Sequence, residues 1–336
     1  MKAAIFDGKR VSIKEVAKPL LSESQALISV KVVGICGTDL AIVNGHLETP
    51  VPLILGHEFA GEVVEVGKLV NLSWIGKRVT SEINSKIDFN CFFCKHEIYT
   101  QCISRKALGI DIDGALAEYI AVESYLLHEF PDSITYNEAT FIEPLAAAYQ
   151  TFEMMPLGSD DNIMAIFGLG KLGLLLVQVA YQKGLQLIVV DGSDKKLALA
   201  KKYGAQYLIN RFKIENIAQK IKNLTNNLGA DIVIDTSGNP DALKEVIDSC
   251  RTRGKLHIKS TSGLATPINL TDIVVRELTL YSSRCGPFEK AIEGLKNGEI
   301  KVKELISQEY KLDRIQEAFA SYEKSRDHIK TIITIN

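Results

Sequence analysis

Hydrophobic positions change their spacing near residue 160. Before it, β-branched and apolar residues gather in short runs, ALISVKVV (26–33), AGEVVEV (60–66), KRVTSEI (77–83) and ALAEYIAV (115–122), with Gly, Pro and Asp between them. These runs predict strands, and MKAAIFDGKRVSIKEV predicts a first strand and hairpin. From Ile163 the apolar runs NIMAIFG, LQLIVVD, AQYLIN, ADIVIDTSG, GKLHIK and LTLYSS are separated by helical stretches such as KLGLLLVQVAYQKG and SDKKLALAKKYG. Strand and helix in regular alternation predict a parallel, doubly wound sheet, with six strands between Ile163 and Ser283. Ser193 is placed to cap a helix start, and Gly184 and Gly204 to end helices. The tail predicts a helix near Phe288–Lys296, another near Asp313–Lys324 and a last strand, KTIITIN. It is hard to add to a completed six-stranded sheet and is assigned to the first domain. The expected division is residues 1–142 with 286–336 returning, and 143–285.

Length supports two domains: 336 residues exceed one ordinary core. A cleft between them is the expected functional location. A net charge of -2 with scattered Lys and Arg gives no footprint for nucleic acid. No apolar run approaches the roughly 18 residues that span a bilayer, and the first residues lack a signal-peptide pattern, so a cytoplasmic protein without membrane partners is expected. Three of the six cysteines, Cys91, Cys94 and Cys102, lie close together. In a cytosolic chain such clustering suggests metal before disulfide.

The run Ile163–Phe167 leads directly into Gly168-Leu169-Gly170-Lys171-Leu172-Gly173 and an apolar helix. In this strand–turn–helix context the first two glycines permit the turn and the approach of a pyrophosphate, and the third packs helix on strand. Asp191, about 20 residues on, is placed to accept the ribose hydroxyls of NAD and to repel a 2′-phosphate. Lys195 and Lys196 argue the other way, toward NADP, unless they form the solvated face of a helix.

A second constellation sits upstream. Cys36 in GICGTD and His57-Glu58 in GHEFAGEVVEVG offer a thiolate, an imidazole and a carboxylate, and the charged pair beside Gly56 is poor core material. A catalytic zinc takes three protein ligands and keeps one position open. The third ligand expected is Glu143 in ATFIEPLAAAYQ, a lone carboxylate entering an apolar helix, with Glu58 as the alternative. One thiolate and one carboxylate cancel the charge of Zn²⁺, leaving it able to bind an alkoxide.

GICGTD, GHEFAGEVVEVG, the cysteine cluster, EPLAAA and GLGKLG follow the order seen in the zinc-containing medium-chain dehydrogenase/reductase family, which the chain resembles along essentially its whole length. EPLAA is similar to the polyol and sugar dehydrogenase branch, while SSRCGPFEKAI with EIN looks most like an alcohol-dehydrogenase-like subgroup of unknown substrate. The resemblance implies an α/β protein: a GroES-like, β-rich catalytic domain and a Rossmann cofactor domain. It makes Cys36, His57 and Glu143 the catalytic zinc ligands, Thr38 the hydroxyl relaying the substrate proton, and Asp39 the partner orienting His57. Gly168, Gly170, Lys171, Leu172, Gly173, Asp191 and Lys196 would hold the cofactor. Relatives use four cysteines in a structural zinc lobe; here Asp88 stands in place of the first, before Cys91, Cys94 and Cys102. Many relatives also carry a His where this chain has Ala41, so the relay must end through His46 or water. Relatives form dimers or tetramers, and a homo-oligomer is expected.

The function expected is zinc-dependent hydride transfer between an alcohol, a polyol or sugar first, and NAD through a zinc-held alkoxide. His46, Glu58 and Arg284 are candidate substrate contacts. The alternatives are a secondary-alcohol or ketone dehydrogenase, a zinc-independent NADPH-type reductase of the same superfamily, and a non-enzymatic cofactor-binding sensor.

Overall fold

A computed structural model describes residues 1–322 and 325–335, and divides the chain into two compact units. The first unit opens with strands β1 (Lys2–Phe6), β2 (Val11–Glu15) and β3 (Gln25–Gly34), helix α1 (Gly37–Val43), and strands β4 (Leu53–Ile54) and β5 (Glu58–Val66). β6 (Arg78–Ser81), β7 (Asn84–Ser85), the single turn α2 (Phe92–Lys95), β8 (Lys106–Ala107), β9 (Tyr119–Glu123), β10 (Leu127–Glu129) and the turn α3 (Tyr136–Ala139) follow. β1 and β2 make the expected antiparallel hairpin. β3 and β5 bury Ile28, Val30, Val33, Phe59 and Val63 in one core, and their antiparallel ladder shifts register between Leu27 and Ile28 and again between Val30 and Val32, which keeps apolar residues on the core side beyond each shift.

Helix α4 (Ile142–Met154) starts in the first unit and enters the second at Pro144. The second unit then alternates β11 (Ile163–Phe167), α5 (Lys171–Gln182), β12 (Gln186–Asp191), α6 (Asp194–Lys202), β13 (Tyr207–Asn210), α7 (Ile217–Leu224), β14 (Ala230–Asp235), α8 (Leu243–Ser249), β15 (Cys250–Ile258), α9 (Leu270–Val275) and β16 (Thr279–Ser282). All six strands are parallel, in the order β13-β12-β11-β14-β15-β16. The central strands are apolar on both faces, as a sheet covered on two sides requires. Order reverses between β11 and β14, and a crevice opens at the carboxyl ends there. Ser193 caps α6 by accepting from the Lys196 N–H at 3.1 Å, and Gly184 and Gly204 take positive φ after their helices, all as expected.

The chain then returns through α10 (Phe288–Lys296), β17 (Ile306–Lys311), α11 (Ile315–Ser321) and β18 (Lys330–Thr334). β18 lies between β17, its parallel neighbour, and β3, its antiparallel one. The helix expected over 313–324 is the shorter α11, after a 3-10 turn at Leu312–Arg314; Glu323 and Lys324, and Asn336 of the last predicted strand, lie outside the described residues. Ser325–Ile329 group with the second unit: Ser193 Oγ donates to Asp327 at 2.6 Å, and Arg326 lies 4.3 Å over the Phe212 ring. No helix among the described residues is long and apolar enough to cross a membrane.

Candidate active site

β3 delivers Cys36 to the start of α1, and β5 begins one residue after His57. Between these two loops sits Asp39, fully buried, whose carboxylate accepts the Cys36 N–H at 2.8 Å and the Gly56 N–H at 3.2 Å. One side chain thus fixes the backbone on which both donors are mounted. Gly56 has φ +92°, and an added Cβ would stand 2.9 Å from the Leu116 side chain, so no other residue suits this turn.

The donor atoms of Cys36, His57 and Glu58 all lie within 4.8 Å of one another. Thr38 Oγ1 is 3.7 Å from Cys36 Sγ, beside the same cluster. Asp39 is 3.7 Å from His57 Nδ1, beyond hydrogen-bond reach, so the expected orienting bond is not made and Asp39 acts on the ring by charge. Burial alone would strip the His57 proton, but the negative charges of Asp39, then of Cys36 and Glu143, push its pKa up to about 10. Nδ1 is buried without a hydrogen-bond partner. Sulfur, nitrogen and carboxylate donors gathered in a pocket that draws positive charge fit a zinc ion.

The structure gives Glu58 a companion that sequence reasoning missed. Its Oε2 lies 2.5 Å from Lys330 Nζ, and both side chains are essentially inaccessible. Lys330 also donates to the Thr140 carbonyl at 3.0 Å and lies 4.5 Å over the Phe141 ring. Gly34 makes room for it: a Cβ there would stand 2.2 Å from Nζ. Glu58 is therefore a charge-paired member of the cluster, while Glu143, in the first turn of α4, stands outside the close trio and reaches His57 through its charge. The only sequence signal for Lys330 is a lysine opening an otherwise apolar strand.

In the second unit the glycines sit where the backbone turns or packs closely. Gly168 has φ +91°, and a Cβ would lie 2.7 Å from Ser237 Cα; a Cβ on Gly173 would lie 2.0 Å from Gly168 O. Gly170 faces open space at the start of α5, where Lys171 and Leu172 are half-buried. Asp191 Oδ2 accepts the Leu169 N–H at 2.7 Å and Oδ1 the Ser193 N–H at 2.8 Å. Gly168, Gly170, Asp191, Lys196 and Arg211 line one cavity of about 220 Å³. Lys196 is buried, which lowers its pKa against the opposing pull of Asp191 and Asp327, so it belongs to this cavity and not to a solvated helix face.

The predicted cysteine cluster also assembles, with the donor atoms of Asp88, Cys91, Cys94 and Cys102 within 4.8 Å of one another. Asp88 Oδ1 accepts the N–H groups of Asn90 and Cys91, each at 2.8 Å, and Oδ2 accepts Ser104 Oγ at 2.9 Å, which holds this carboxyl well below its usual range. It is an ionised donor beside three sulfurs, a set suited to tetrahedral zinc.

The profile described as alcohol dehydrogenase GroES-like domain matches residues 22–132, and that of zinc-binding dehydrogenase matches residues 172–297. Sorbitol dehydrogenase of Bacillus subtilis strain 168 is 34% identical over 328 residues, covering 95% of this chain and 92% of its own. The chain belongs to the zinc-binding alcohol dehydrogenase family. Its fold is that of solved members: an Escherichia coli oxidoreductase of unknown specificity is 30% identical with TM-score 0.91, covering 100% of this chain and 99% of its own. An alcohol dehydrogenase of E. coli CFT073, solved with NADH, is 26% identical with TM-score 0.90 and the same coverage. Within this zinc-binding dehydrogenase, Ala41 is a buried residue of α1 without a polar group, His46 is exposed beyond the helix, and Arg284 is half-buried just after β16.

Proposed function

We propose that the chain oxidises an alcohol carbon of a polyol or sugar, reversibly, with NAD as hydride acceptor and a zinc ion held by Cys36, His57 and Glu143. The observation that carries this reading is the pairing of half-buried Cys36 with buried His57, their loops clamped by Asp39 and the imidazole surrounded by negative charge. Similarity to a sorbitol dehydrogenase supports the substrate class. A simple secondary alcohol is the second reading, supported by similarity to the 2R,3R-butanediol dehydrogenase of Bacillus subtilis, 27% identical with TM-score 0.87. A zinc-independent NADPH reductase has no use for so expensive a buried anionic cluster, and Asp191 disfavours its cofactor.

What zinc supplies at these donors is Lewis acidity toward the substrate oxygen, and what NAD supplies is the hydride acceptor. The chain does the rest. Thr38 takes the substrate proton and hands it outward through water or His46, since Ala41 cannot. Asp39 keeps the two donor loops in register, and Lys330 holds Glu58 neutralised, so that Glu58 does not cancel the charge of the metal. Gly168, Gly170, Lys171, Leu172 and Gly173 seat the pyrophosphate at the start of α5, while Asp191 and Lys196 grip the adenosine ribose. Asp88, Cys91, Cys94 and Cys102 hold a second, structural zinc.

The two compact units serve as catalytic and cofactor domains, and the protein works in the cytoplasm. It assembles as a homo-oligomer: β16 is an edge strand with Leu280 45% exposed, beside α9 with Val274 and Val275 each 73% exposed, an apolar edge suited to a second copy. A monomeric mass by sedimentation would remove that part. The function is tested by following NADH absorbance over a panel of polyols, sugars and secondary alcohols, with NAD and NADP in parallel. Cys36→Ser should lower kcat by about 10³-fold or more and remove one of two zinc equivalents; undiminished turnover overturns the metal mechanism.

A further inference from the structure

The second unit contains a buried lysine that none of these roles uses. Lys259 directly follows β15, is 8% exposed, and donates from Nζ to the Ala147 carbonyl at 2.8 Å and to Ser283 Oγ at 2.9 Å. Ala147 lies in α4, four residues after Glu143, hence one helical turn along the same rod. Ser283 directly follows β16 and is also bonded to His257 Nε2 at 3.0 Å. An ammonium can only donate, so Ser283 accepts from Lys259 and keeps its own proton for a further bond. Lysine, serine and histidine form one anchored group at the carboxyl ends of two neighbouring strands.

A second contact reaches the same helix. Gly286, in the segment leaving β16, lies so close to α4 that an added Cβ would stand 2.0 Å from Ala146 O and 2.8 Å from Gln150 Cβ. A buried charge-assisted bond and a side-chain-free backbone contact therefore hold two successive residues of α4, Ala146 and Ala147, one turn from Glu143. Nothing in a Rossmann sheet demands a lysine at this place. Burying it costs free energy, and the bond it makes goes to the helix that bears the carboxylate.

We propose that Lys259 is a positioning residue: it anchors α4 to the ends of β15 and β16, and so sets where the Glu143 carboxylate stands as a metal ligand. This rests on the proposed ligand role of Glu143. A residue that holds a ligand from behind changes metal affinity by about 10–100-fold when removed.

The test measures transfer of zinc from the full-length holoprotein to a chromogenic chelator, well below the melting temperature, for Lys259→Met, Lys259→Arg, Gly286→Ala and Glu143→Gln. NADH binding is followed by fluorescence and turnover by steady-state kinetics. Lys259→Met should release the catalytic zinc about tenfold faster or more and lower kcat, leaving the dissociation constant and KM of the cofactor within about twofold. Lys259→Arg, which keeps a charged donor, should recover most of the loss. Gly286→Ala, which pushes on the same turn of α4, should speed release in the same sense, and decides the matter if Lys259→Met does not fold. If Glu143→Gln accelerates release while neither Lys259→Met nor Gly286→Ala does, the positioning role is wrong. Retained zinc with weakened NADH binding in Lys259→Met also overturns it, placing the lysine at the cofactor. Zinc release unchanged in Glu143→Gln instead removes the ligand assignment on which the inference rests.

Discussion

Glu58 and Lys330 neutralise each other out of reach of water, and removing one deprives the other of its opposite charge. Lys330→Met should therefore destabilise the protein by about 3–5 kcal/mol, and adding Glu58→Gln should return a good part of that loss. Chemical denaturation of the two single variants and the double variant measures the coupling, and strictly additive losses would rule it out. At this scale the donors Cys36, His57, Asp88 and Cys91 were legible because each sits in a short local motif with a turn of its own. Lys330 was not, since its partner is 272 residues away and no local pattern announces a pairing across that span. Asp39 was legible as a partner of the site but not in its main task, which is to hold two backbone N–H groups rather than the imidazole ring.

Among the elements, the turn from β11 into α5 depends on close backbone approach. A methyl group on Gly173 would stand 2.0 Å from the Gly168 carbonyl oxygen, forcing helix and strand apart. Gly173→Ala should cost about 1–3 kcal/mol of stability and weaken NADH binding, while both zinc equivalents stay bound. Fluorescence titration beside metal analysis checks this, and unaltered NADH affinity would contradict it. The six parallel strands and their helices were readable from apolar period alone, because a sheet buried on both faces leaves long unbroken signals. Two-residue strands such as β4 and β7 were not, as their pairing is set by tertiary packing and not by composition.

Over the whole molecule, buried His257 and half-buried His328 link stability to pH. Burial, helped by the charge of Lys259, lowers the His257 pKa to about 3, and partial burial with the charge of Lys196 lowers that of His328 to about 4, against an ordinary imidazole value of 6.5. Between these values and 6.5 the unfolded chain binds more protons than the native one, so stability rises with pH across that window and is lost as pH falls from 6.5. The urea midpoint should drop between pH 7 and pH 5, and His257→Asn should show a smaller drop than the parent. An equal drop in both would exclude His257 as a source. Sheet order carries one more consequence, for synthesis. β18 leaves the ribosome after every other strand of the described residues, yet it occupies an interior place beside β3 and brings the counter-charge of Glu58. At ~5–20 residues per second, the 272 residues between that pair take roughly 14–54 s to translate. Throughout that interval the emerging first unit lacks the counter-charge of Glu58 and has a gap in its sheet, while the second unit, encoded in between, has all six of its strands and can fold first.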